Sequence, residues 1–279
     1  MIARLPQLTD SQFSKFSDLV YQKTGIYLKP EKKQLLNARL GKRLRACNID
    51  SFKTYYEFVI KDQSGEELIH LINSVSTNFT SFFREQAHFD FMISSVLPAL
   101  HRASPGGVKE LNIWSAACSS GEEPYTIAMV IAEYLAANPG AGFGYRITAT
   151  DISTRVLAQA AKGVYADDRV SKVPDPLLKK YFQRGVRQAS GHVKIKDDLR
   201  RHIVFQRFNL MDEFPFRETF DVIFCRNVMI YFNSETQQAL VEKFYQSLTP
   251  GGYLFIGHSE SISRLKHGFS QVAATAYRK

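Results

Sequence analysis

Cysteine is scarce in this chain. Its 279 residues include three, Cys47, Cys118 and Cys225, at no metal-ligand spacing. So sparse and odd a set excludes a disulfide scaffold and fits a reducing compartment. Nothing approaches the roughly 18 consecutive apolar residues that mark a spanning helix. The start, MIARLPQLTDSQF, has no apolar segment of signal-peptide length. A soluble cytoplasmic protein is expected. Acids are outnumbered, with 27 Asp and Glu against 36 Lys and Arg and a net charge of +9. That balance favours an anionic partner. Glycine is missing where a dinucleotide fold demands it. The turn SAACSSG holds Gly121 alone, so there is no G-x-G-x-x-G and little room for a pyrophosphate.

The same turn is the most informative stretch. Leu111, Ile113 and Trp114 make a short apolar run of the buried-strand kind. Small residues follow, from Ser115 to Gly121. Glu122, Glu123 and Pro124 then open a helix carrying Ile127, Met129, Val130, Ile131 and Leu135. Strand, small-residue turn and helix form the first half of a nucleotide-binding βαβ unit. Two carboxylates at the helix start repel phosphate and suit a cationic amino group. S-adenosylmethionine (AdoMet) carries such a group, a sulfonium and no phosphate. A capped helix after a core strand, with acids favoured by its dipole, stands as the plainer reading.

Residues 9 to about 75 predict a helical bundle. Thr9, Asp10 and Ser11 are N-cap candidates before Phe13, Phe16, Leu19 and Val20, and Gly25 breaks that helix. A second helix spans about Pro30–Cys47, a third follows Ser51, and a fourth covers Glu66–Val75. The second carries seven basic residues between Lys29 and Arg45 against one acid, Glu31. Lys32, Arg39 and Arg43 share one stripe of it. The stripe is either a solvated face or a surface for an acidic partner. Interleaving of arginine with aromatics, as in RNA readers, is not seen. Then comes SVSTNFTSFFREQAHFDFM, dense in phenylalanine, which reads as an interdomain linker.

From Leu111 onward strands and helices alternate. Strands are expected at Tyr145–Thr150, His202–Leu210, Phe220–Arg226 and Tyr253–Gly257. Val272–Tyr277 is expected as an antiparallel edge, and a small antiparallel insertion between Ala166 and Arg201. Asp151 ends the second strand, where a carboxylate can accept hydrogen bonds from a ribose diol.

Four motifs, STNFTSFFRE, SAACSSGEEPYTIAM, CRNVMIYF and LTPGGYLFIGHSES, occur in that order. Together they resemble the chemotaxis receptor methyltransferases, the CheR family, over nearly the whole chain. The resemblance implies an α/β fold: a class I AdoMet-dependent methyltransferase with a Rossmann-like seven-stranded sheet, an N-terminal helical domain and a small antiparallel β insertion. The expected division is 1–75 for the helical domain, 76–92 for the linker and 93–279 for the catalytic domain, with the insertion at about 180–206. It implies methylation of glutamate side chains on the cytoplasmic helical region of methyl-accepting chemotaxis proteins, with S-adenosylhomocysteine as product. Asn78, Thr80 and Arg84 of the linker would reach the cofactor. Glu123 would face its methionine part, and Asp151 its ribose. Asn209, Leu210, Arg226 and Asn227 would line the adenine and methionine sites. Arg84 and Tyr231 would serve catalysis, and Lys32, Arg39 and Arg43 would meet the receptor. No metal is expected, no nucleic acid partner, no membrane insertion, and a monomer. The family insertion often binds a receptor's C-terminal peptide through a glycine-rich loop; here the loop Gly185–Gly191 has glycines only at its ends. A nucleic-acid methyltransferase is disfavoured because the fourth strand ends in RNVMIYF, without the Pro-Pro-aromatic grip on a base.

Overall fold

The computed structural model describes residues 7–76, 78–102, 110–216 and 218–279. The linker residue Thr77 and residues 1–6, both read above, lie outside the described residues. Four helices form the N-terminal bundle: α1 Asp10–Thr24, α2 Lys33–Ala46, α3 Phe52–Lys61 and α4 Glu66–Val75. A capping box between Thr9 and Gln12 starts α1, a device worth about 1 kcal/mol. Gly25 ends it in the left-handed conformation at φ 71°. Ser51 caps α3 through the Thr54 N–H. The apolar faces meet at Phe16, Leu40, Tyr55 and Leu71, all buried. None of these short helices is stable alone, so burial of this shared core holds them.

The linker leads into α5 Ala87–Phe91, one π turn, and α6 Leu97–Arg102. The catalytic sheet then begins with β1 Glu110–Ala116, α7 Glu122–Ala137, β2 Gly144–Asp151 and α8 Thr154–Lys162. After the insertion it continues with β6 Ile203–Arg207, β7 Phe220–Cys225, α11 Ser234–Ser247, β8 Leu248–Ile256, β9 Ser270–Ala273 and β10 Ala276–Arg278. The strand order is β6-β2-β1-β7-β8-β10-β9. The first five run parallel, and β10 is antiparallel to both of its neighbours. All six residues of β7 are buried, as a central parallel strand requires. The order reverses between β1 and β7, and open α/β sheets bind ligands at that switch, beyond the strands' carboxyl ends.

Two expectations need correction. The single edge strand at 272–277 is a hairpin, with β10 inside and β9 at the edge; a turn at Ala274–Thr275 splits the run. The insertion starts earlier than 180. Its sheet has the order β3-β5-β4, from β3 Val164–Ala166, β4 Phe182–Arg184 and β5 His192–Ile195. The helix α9 Asp175–Tyr181 lies within it, and α10 Asp197–Arg200 leads out of it. Residues 203–206, assigned above to the insertion, pair with β2 in the main sheet.

Candidate active site

The turn after β1 departs from ordinary backbone. Ala117 (φ 60°), Ser119 (φ 50°) and Gly121 (φ 95°) are all left-handed. At Gly121 a Cβ would also lie 2.9 Å from both Ala160 Cβ and the Tyr165 hydroxyl, so only glycine fits. Phe83, Glu85 and Asn227 are left-handed as well. Such strain gathers where the surrounding structure must hold a site open.

These segments enclose one cleft, of about 250 Å³, at the carboxyl ends of β1, β2, β6 and β7. Asn78, Thr80, Arg84, Glu123, Asp151, Asn209, Leu210, Arg226, Asn227, Tyr231 and Lys32 all line it. Arg39 and Arg43 do not. Apolar walls come from Ile152, Phe208, Leu210 and Val228.

Asp151 is fixed by two backbone donors, Ser119 N–H at 2.9 Å and Ser153 N–H at 2.8 Å. Burial pushes its carboxyl above the ordinary range, against the pull of those N–H groups. Glu123 accepts the Ser115 hydroxyl at 2.7 Å and Arg226 Nη1 at 3.0 Å. Arg226, with 2% of its side chain exposed, also pairs with Glu85 at 3.0 Å, donates to the Arg84 carbonyl and lies over the Phe89 ring. Burial works to raise Glu85, but Arg226 and Asn227 outweigh it and hold that carboxyl below its ordinary value. Arg84 donates to the Phe79 carbonyl at 2.9 Å and stacks its guanidinium on the Phe79 ring, leaving donors free at the mouth. Asn209 ties the domains, donating to the Lys23 carbonyl at 2.9 Å. The Tyr27 N–H likewise donates to the Tyr231 carbonyl at 2.8 Å.

Three placements differ from expectation. Glu122 does not face the cleft. It is fully buried and paired with Arg169 of the insertion and the Ser120 hydroxyl, so of the two helix-start acids only Glu123 lines the cleft. Arg43 turns inward to a two-point pair with buried Glu67, at 3.0 and 2.7 Å, and Tyr55 donates to the same carboxylate at 2.6 Å. Arg39 donates to the Val75 and Ser76 carbonyls at the end of α4. Burial lowers its affinity for a proton, and nearby Tyr231 opposes that. The expected three-residue stripe therefore leaves only Lys32 free to meet a partner. Its neighbours are drawn inward because α2 must satisfy a buried acid and a helix end.

Glu260 went unread in the sequence. Its carboxylate accepts N–H groups from Gly257, Asn227, Val228 and Ile230, at 2.6, 2.9, 2.8 and 3.3 Å. It thereby sets the loop that carries Asn227 and Tyr231. The single acid of the GHSES motif was the available signal.

The cleft fits AdoMet on its own chemistry. Asn78 Nδ2 and Arg226 Nε are buried without hydrogen-bond partners, and such donors call for a ligand. Asp151 offers a buried carboxylate in the same cleft, and Ile152, Phe208, Leu210 and Val228 make part of its wall apolar. Fold and site thus define a class: AdoMet-dependent methyltransferases of the seven-stranded type. Comparison narrows it further. Residues 78–278 match the model "CheR methyltransferase, SAM binding domain", and residues 11–76 match "CheR methyltransferase, all-alpha domain". The chain belongs to the CheR methyltransferase family. It is 41% identical over 274 residues to a chemotaxis protein methyltransferase of Borreliella burgdorferi, covering 98% of this chain and 95% of the relative. It is 38% identical over 271 residues to that of Escherichia coli, covering 97% and 91%.

Proposed function

We propose that this enzyme methylates glutamate side-chain carboxylates on the cytoplasmic helical region of chemoreceptors, giving glutamyl methyl esters. The carrying observation is the composition of the cleft: cationic Lys32 and Arg84 beside Tyr231, with no histidine among its described lining residues. When bound, AdoMet supplies a sulfonium methyl group open to displacement by a nucleophilic oxygen. A glutamate carboxylate, with an ordinary pKa of about 4.3, is already ionised at neutral pH and needs no general base. Lys32 and Arg84 draw that anion in, and Tyr231 orients it. Asp151, Asn78 and Glu123 hold the cofactor so that the reacting atoms line up and water is excluded. Orientation is the main catalytic contribution asked of the protein.

The same reading has the protein acting as a monomer in the cytoplasm. Among the described residues no helix is long and apolar enough to cross a membrane. A receptor C-terminal peptide would add as a strand to β3 or β4, the outer strands of the insertion sheet.

The test uses tritiated AdoMet and a chemoreceptor cytoplasmic fragment, followed by mild alkali. A glutamyl ester releases volatile labelled methanol. Label that survives alkali, or that appears only on added RNA or DNA, overturns the assignment.

A further inference from the structure

Behind Arg226, outside the cleft, three potential ligands converge, two of them three residues apart and the third from far along the chain. Glu85 belongs to the linker, His88 to α5, and His258 to the turn after β8. One ligand atom from each lies within 4.8 Å of the other two. The two imidazole rings meet edge to face, with centroids 4.9 Å apart. His88 is 4% exposed, and its Nδ1 is buried without a hydrogen-bond partner. Its other nitrogen, Nε2, is engaged with the Thr275 hydroxyl. Nδ1 instead faces Glu85 Oε2 at 3.6 Å, beyond hydrogen-bond reach in either tautomer. A buried nitrogen without a partner, a carboxylate and one exposed histidine thus face a common point.

We propose that Glu85, His88 and His258 form a binding site for a divalent transition-metal ion of the zinc type. Two imidazoles and one carboxylate are a known donor set for Zn²⁺, with water as the fourth ligand. Tetrahedral coordination at about 2.0–2.2 Å from each ligand requires the donors to draw closer than they now stand. His258 is exposed and has the freedom to do so. The His88 Nε2 contact with Thr275 supplies the second interaction that orients a metal-bound imidazole. The ion competes with Arg226 for Glu85, because the Arg226 pair uses the same Oε2. Arg226 also holds Glu123 in the cofactor cleft. Ion binding therefore weakens the cofactor site from behind.

The probe is Co²⁺ added to the untagged full chain, read by visible absorption. Expected are the intense bands of tetrahedral cobalt at one ion per chain, displaced by Zn²⁺. His258→Ala removes an exposed ligand without disturbing the core. It should weaken the ion by at least about tenfold, the scale on which even outer groups affect such sites. Zn²⁺ should lower S-adenosylhomocysteine affinity severalfold in the parent and leave it unchanged in His258→Ala. Absence of tetrahedral bands, or equal ion affinity in His258→Ala, overturns the site. Ion binding that leaves S-adenosylhomocysteine affinity untouched overturns the coupling. None of these readings depends on which carboxylate the enzyme methylates.

Discussion

Replacing Arg43 with alanine tests whether the basic helix serves folding or substrate. Arg43 retains 19% of its side-chain exposure and Glu67 only 7%. Removing the arginine leaves a carboxylate buried without its cation, a change that costs about 3–5 kcal/mol. Arg43 is the more exposed partner, and water entering its place favours the lower figure, about 3 kcal/mol. In a helical domain of this size each kcal/mol moves Tm by about 4–8 °C, so the bundle should melt more than about 10 °C earlier. The pH dependence has a definite sign. Burial works to raise Glu67, but Arg43 and Tyr55 outweigh it and hold the carboxyl below 4.5 in the fold. A depressed acid stabilises above its unfolded pKa, and that contribution fades as pH falls through the folded value. The parent should therefore lose bundle stability below about pH 4.5, and Arg43→Ala should show a flatter acid limb. The combined change Arg43→Met, Glu67→Leu and Tyr55→Phe removes the ion pair and its hydroxyl together. It should recover most of the loss. Calorimetric and urea unfolding read all three variants. If Arg43→Ala unfolds within about 0.5 kcal/mol of the parent while the receptor KM rises, Arg43 is a substrate contact and the inward pair carries no weight.

Asp151→Asn keeps the shape of the group proposed to hold the ribose and removes its charge. Two charge-assisted bonds at about 1.5–3 kcal/mol each are weakened, so S-adenosylhomocysteine affinity should fall at least tenfold by calorimetry. Equal affinity in a folded variant refutes the ribose assignment. Lys32→Glu should raise the receptor KM severalfold at low salt with little change in kcat. The difference should shrink once the screening length falls to about 8–10 Å; a KM difference that persists at high salt counts against a charge contact. Glu260→Gln replaces one acceptor oxygen with a group that cannot accept. The released N–H groups each cost about 1–3 kcal/mol, so Tm and kcat should drop together. A normal kcat would show that the loop from Asn227 to Tyr231 holds its shape without this carboxylate.

Features carried by sequence period were legible, and features made by long-range pairing were not. The four bundle helices read cleanly because caps at Thr9 and Ser51 and a break at Gly25 sit beside apolar stripes. β7 read as a strand because Phe220, Val222, Ile223, Phe224 and Cys225 make a short, nearly unbroken apolar run. Helical spacing put Lys32, Arg39 and Arg43 on one stripe of a single helix, whereas Lys32 falls in the 3₁₀ turn just before α2. Spacing cannot show that Glu67, on another helix 24 residues further on, claims Arg43. Glu122 and Glu123 are adjacent in sequence, and nothing local tells which one the insertion's Arg169 will claim. β3 spans three residues, too few to establish an alternation, so the insertion seemed to begin later.

The charges of the cleft are ordered by depth, and that order explains how one site takes a cationic donor and an anionic acceptor. Its deep end holds Asp151, Glu123 and Arg226, with Glu85 behind, all with little exposure. Three carboxylates against one guanidinium leave that end negative even though Arg226 pairs with two of them. The mouth holds Lys32, exposed, and Arg84, half-buried, so it is positive. In a region of low dielectric these fields act over the length of a ligand. A sulfonium and an amino group are favoured at the deep end, and a glutamate side chain at the mouth. The Arg226 charge is spent on Glu85 and Glu123. Its two acids and the Arg84 carbonyl come from α7 and the linker, so its role is to fasten the linker across the cleft. The linker in turn brings Asn78 and Arg84 to the cleft. Methyl donor and acceptor are thus placed in order by buried charge, before any contact specific to the receptor is made.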